Sequence, residues 1–94
     1  MRKKIVILNK KDNVATTLED LSKGMIINIE EYNLIINIQE DISFGHKFAI
    51  ENIEKGKSVI KYGEVIGSAL CNIIKGEHVH THNVISNRGR GDIE

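Results

Sequence analysis

Three of the four histidines, His78, His80 and His82, fall within five residues, in Gly76-Glu77-His78-Val79-His80-Thr81-His82-Asn83. In an extended segment, alternate side chains share a face, and same-face neighbours start roughly 6.6 Å apart. Two imidazoles at that spacing can converge on one small ion or ligand. Neutral imidazole is a ligand for Zn²⁺, Fe²⁺ or Mn²⁺ and an acid or base near neutral pH. The plain alternative is a solvated strand face; three alternating histidines favour a ligand or catalytic role over it. A second cysteine and a nearby carboxylate set are both missing, and Glu77 points to the opposite face of a regular strand. A closed structural zinc site therefore does not fit, whereas an open site completed by substrate, water or another chain does.

Other residues able to do chemistry lie on turns. His46 follows Phe44-Gly45 and precedes Lys47, and a His–Lys pair there either binds a carboxylate or decorates a surface turn, the second being slightly favoured. Lys61 and Tyr62 bring a cation and a phenol to another turn, where they bind an anionic hydroxy acid or simply flank a hairpin. Arg88 and Arg90 sit in a polar, glycine-rich tail, Ser86 to Glu94, expected to be mobile, and suit a partner subunit or an anionic substrate. Cys71, between Leu70 and Ile73 in an apolar stretch, reads as a core residue.

The elements that must position these groups are mostly strands. The 94 residues are enough for one small domain with a core but not a deep private active site. Apolar content is mainly Ile, Val and Leu, which favours β structure. Ile5 to Leu8, Met25 to Ile29, Leu34 to Ile38, Lys47 to Ile50, Lys57 to Lys61, Val65 to Ile74 and Glu77 to Val84 read as strands. The second and third alternate as a hairpin around Glu30-Glu31-Tyr32-Asn33. One short helix is expected over Val14 to Leu21, with Asp12 or Asn13 as its cap and Gly24 at its end. Leu21 to Ile27, Ile53 to Val59 and Ile73 to Val79 each read apolar-x-Lys-Gly-x-x-apolar, a tight turn with an apolar residue tucked in on each side. Three copies suggest a folded-over, pseudo-repetitive β structure. The domain is expected over 1–85 and the tail over 86–94.

Thirteen basic and thirteen acidic residues balance, which argues against binding nucleic acid by bulk charge. No apolar run reaches signal-peptide or membrane-span length, and one cysteine suits a reducing compartment. A cytoplasmic protein without membrane contact is the expectation.

Read in order, Asp12-Asn13-Val14-Ala15, Leu18 and Asp20-Leu21, Gly45-His46-Lys47-Phe48-Ala49, Ile60-Lys61-Tyr62-Gly63, Ile66-Gly67 and Gly76 to Asn83 resemble the SAF-type domain of the altronate and galactarate dehydratases. The resemblance spans nearly the whole chain. It implies a β-clip fold and, as partner, a large dehydratase subunit with which the chain works as a small subunit. It implies elimination of water from a sugar acid, with divalent iron or manganese. Similar small subunits serve sulfolactate sulfo-lyases, which expel sulfite instead. On this reading His80, His82 and His46 are catalytic; Lys47, Lys61, Tyr62, Asn83 and Arg88 contact the substrate; and His78, His80 and His82 are metal ligands. A stand-alone module that binds a sugar acid or metal without turnover is the rival, and self-association of the isolated chain is a further expectation.

Overall fold

The computed structural model describes residues 5–86. The described chain is built of nine short strands: β1 (Ile5–Val6), β2 (Val14–Thr17), β3 (Ile26–Ile29), β4 (Leu34–Asn37), β5 (Lys47–Ala49), β6 (Ser58–Lys61), β7 (Glu64–Ala69), β8 (His78–Val79) and β9 (Val84–Ser86). They form three antiparallel sheets, ordered β1-β2-β5-β8, β3-β4 and β6-β7-β9. A single 3₁₀ turn, Glu30–Tyr32, is the helical element among the described residues, and none of them forms a helix long and apolar enough to cross a membrane.

The four-stranded sheet divides two apolar cores. Successive strand residues face opposite sides, and the packing follows that rule. Ala15 and Phe48, directly paired across β2 and β5, join Leu21, Ile27, Ile29, Ile36, Ile38 and Ile42 in one cluster. Their neighbours Val14 and Ala49, also paired, join Val59, Ala69, Ile73 and Val79 in the other. The β3–β4 hairpin therefore covers one face and the β6–β7 hairpin the other.

Both hairpins are fastened by one repeated device. Residues 22–25, 43–46, 54–57 and 74–77 are four-residue turns closed by a backbone bond from the last N–H to the first carbonyl, at 2.9–3.0 Å. Each carries glycine third, at φ between 85° and 96°, as a type II turn requires. The turns work in pairs. Leu21 bridges Ile42, while Phe44 N–H donates to Asp20 Oδ1 and Lys23 N–H to Asp41 Oδ1. Ile53 bridges Ile73 in the same way, with Lys75 N–H donating to Asn52 Oδ1 and Lys55 N–H to Asn72 Oδ1. The three Lys-Gly repeats are thus equivalent, and a fourth, Ile42-Ser43-Phe44-Gly45, joins them with phenylalanine in place of lysine.

Three expectations are corrected. The helix over Val14 to Leu21 is strand β2 followed by irregular chain. Val14 and Ala15 serve opposite cores, a period of two, and Asp12 and Asn13 do not cap a helix. Both are buried: Asp12 Oδ1 accepts from Gly63 N–H, and the Asn13 amide bonds Ile60 N–H and Ser58 carbonyl. They tie the entry of β2 to the β6–β7 hairpin. The strand expected over Val65 to Ile74 ends at Ala69, so Cys71 lies in the following turn and is exposed. Glu77 to Val84 is no continuous strand; β8 stops at Val79 and the chain turns over 80–83 before β9.

Candidate functional site

All four histidines gather on one surface. β5 and β8 pair with Phe48 opposite His78, so His78 stands on the face of the first core. His46, brought in by the turn after Gly45, meets it: Nδ1 of His46 lies 3.0 Å from Nε2 of His78. These residues are 32 positions apart in the chain, and only the β5–β8 ladder joins them. Ring centroids lie 5.1 Å apart for His46–His78, 5.4 Å for His46–His80 and for His78–His80, and 5.6 Å for His78–His82. The half-buried His46–His78 pair forms the floor, and the exposed His80 and His82 stand on the 80–83 turn above it.

Extended alternation does not bring them together, because His80 and His82 lie outside a strand. Asn83 does that work. Its side chain is buried; Nδ2 donates to the His78 carbonyl at 2.8 Å and Oδ1 accepts from His80 N–H at 2.9 Å. Asn83, expected to touch substrate, therefore spends both ends of its amide on holding the histidine turn. Gly76 sets the other end of the segment. A Cβ there would fall 2.1 Å from the Asn37 carbonyl oxygen, so only glycine lets this backbone lie against the end of β4.

One carboxylate belongs to the site that sequence reasoning missed. Glu40 Oε2 accepts from the backbone N–H of His78 at 3.0 Å and caps the open edge of β8. No spacing rule joins positions 40 and 78; a carboxylate just after an apolar strand was the available signal. Glu77 is occupied elsewhere, accepting Ile74 N–H. Burial, and then the neighbouring His46 and His80, push the His78 pKa below its ordinary value, partly offset by Glu40. That direction favours the neutral imidazole of His78, which can both donate and accept a hydrogen bond.

Imidazole chemistry suits Fe²⁺ or Mn²⁺, but no three His, Cys, Asp or Glu side chains among the described residues are arranged to hold an ion. His46 and His78 are spent on one another. His78, His80 and His82 stand together at the surface, with ring centroids 5.4 Å apart for His78–His80 and 5.6 Å for His78–His82.

The remaining site residues separate. Lys47 alternates with Phe48, so it faces the second core with Val79 and Ala49. Lys61 and Tyr62 belong to the hairpin covering that core, with Lys61 Nζ 4.7 Å from the Tyr62 ring centroid. They are not gathered with the histidines. Arg88 and the tail lie outside the described residues.

Comparison with known proteins gives consistent relatives. The family described as altronate/galactarate dehydratase SAF domain matches residues 3–87. The chain is 46% identical over 76 residues to altronate dehydratase of Escherichia coli (strain K12), covering 81% of this chain and 15% of that protein. Altronate dehydratase of Bacillus subtilis (strain 168) is 39% identical over 85 residues, 90% of this chain and 17% of its own. The alpha subunit of (2R)-sulfolactate sulfo-lyase from Paracoccus pantotrophus is 35% identical over 63 residues, 67% of this chain and 94% of that subunit. The chain thus spans about one sixth of the dehydratases and nearly the whole of a sulfo-lyase subunit.

Proposed function

The chain belongs to the altronate/galactarate dehydratase SAF domain family, and from that premise we propose that it supplies one wall of a shared active site for β-elimination from a hydroxy acid, as the small subunit of a lyase. The carrying observation is the convergence of all four histidines on one face, two of them exposed. The coverage of the sulfo-lyase alpha subunit supports a separate small subunit, and the altronate dehydratases support loss of water from a sugar acid. The paired, folded-over turns support the β-clip fold of SAF domains.

Elimination removes a proton next to a carboxylate and expels a β leaving group. His80 and His82 are the groups that reach solvent, hence the ones that take or return protons. His46 and His78 are positioning residues: their mutual hydrogen bond and the Glu40 bond to the His78 backbone fix the floor. A divalent ion in the assembled site would supply Lewis acidity to the leaving group; most of its ligands would come from the large partner. Sulfolactate is the alternative substrate, since the same proton removal serves sulfite loss.

The test is reconstitution with a dehydratase large subunit, assayed on altronate, galactarate and sulfolactate for the 2-keto product or sulfite. Turnover that survives His80→Ala with His82→Ala would remove the histidines from the mechanism.

A further inference from the structure

We propose, on the shared-site reading above, that Phe44 is the anchor by which this chain docks its large partner: the ring enters an apolar pocket of the large dehydratase subunit beside the histidines. Phe44 is 65% exposed and is the second residue of the 43–46 turn, whose last residue is His46. The backbone around it is fixed on three sides. His46 N–H closes the turn on the Ser43 carbonyl at 3.0 Å, Gly45 N–H donates to the Thr17 carbonyl at 2.9 Å, and Phe44 N–H donates to Asp20 Oδ1 at 2.8 Å. Leu18, 41% exposed, directly follows Thr17 and puts a second exposed apolar residue beside the turn.

A lone exposed apolar side chain is ordinary; this one is singled out by its three equivalents. Lys23, Lys55 and Lys75 hold the same second position, each with the same N–H donation to a side-chain oxygen of the paired turn, at 2.8–2.9 Å. Lysine therefore meets every backbone demand of the position, and the Phe44 ring belongs to neither apolar core of the described residues. The exception falls on the one turn of the four that ends in a site histidine. Aromatic side chains are enriched at the buried centre of protein interfaces, and a backbone held before binding loses little freedom on docking. The matched segment is 15% of the Escherichia coli dehydratase, so in that protein the domain has a far larger remainder to pack against. A second copy of this chain seated on Phe44 would set an identical face against the histidines and bring no new chemical group. The large partner brings the rest of the site.

Association of the full chain with a dehydratase large subunit is measured by titration calorimetry for the parent, Phe44→Lys and Phe44→Ala. Phe44→Lys restores the residue of the sister turns, so its melting temperature should stay within about 4 °C of the parent. Phe44→Ala removes the ring without adding a charge. Both variants should bind about thirtyfold more weakly, the loss expected of an interface anchor. Parent affinity in either variant would overturn the anchor and leave the histidine wall standing. Self-association of the parent that Phe44→Lys abolishes, with large-subunit binding unchanged, would overturn it in favour of a second copy. No association of the parent chain would overturn the shared site and the anchor with it. The readout is association alone, whereas turnover of the His80→Ala, His82→Ala chain tests the histidines independently.

Discussion

Asn83→Ala probes how the histidine wall is held. The side chain is 4% exposed and makes two hydrogen bonds, to the His78 carbonyl and from the His80 N–H. Truncation orphans both backbone groups and leaves a small cavity. An unsatisfied buried group costs about 1–3 kcal/mol, and water can reach the His80 side, so the total is about 2–4 kcal/mol. A domain of this length has roughly 5–14 kcal/mol of stability in all. With a urea slope of about 1 kcal/mol/M, the denaturation midpoint should drop by about 2 M or more. Nuclear Overhauser contacts between the His46 and His78 rings should weaken in the same variant. A loss below about 0.5 kcal/mol with those contacts intact would refute the reasoning. It would mean that the backbone bonds from Asn83 and Val84 N–H to the His80 carbonyl suffice to hold the turn.

Other expectations concern the same segment. His80→Ala with His82→Ala should abolish turnover with the large subunit yet leave the unfolding free energy from urea titration within about 0.5 kcal/mol of the parent, since exposed side chains tolerate truncation. Gly76→Ala should destabilise the chain by several times the roughly 1 kcal/mol typical of a point change, because a positive φ and a 2.1 Å approach to the Asn37 oxygen coincide there; thermal melting reads the loss. His78 has a lowered folded-state pKa, so between that value and the ordinary 6.5 the unfolded chain binds more protons and stability rises with pH. Taking the metal-free chain from pH 7.5 toward 5 should lower its melting temperature, and His78→Gln should flatten part of that slope.

Much of the fold was legible in residue pattern. The alternation of Ile27 and Ile29 with Ile36 and Ile38 identifies the β3–β4 hairpin, and the Lys-Gly repeats identify three of the four turns. The fourth escaped because Phe44 stands where the others carry lysine. Asp12 and Asn13 misled because short polar side chains that cap helices equally well plug a sheet, and burial alone distinguishes the two uses. The histidines drew attention through an alternation the backbone does not follow. What gathers them is the β5–β8 pairing and the Asn83 amide, and neither leaves a local mark. The same pairing sends the neighbours His46 and Lys47 to opposite sides of a sheet, so one expected site became two surfaces. Glu40 acts through the edge of β8, 38 residues away in the chain, and no local pattern marks that contact.

The shared-site proposal is tested most directly by a domain exchange. The segment of Escherichia coli altronate dehydratase that is 46% identical to this chain is replaced by the chain, and altronate dehydration is measured for the parent chimera and for its His80→Ala, His82→Ala form. The histidine wall predicts turnover in the first and its loss in the second, with both chimeras folded. Equal turnover in the two would contradict it.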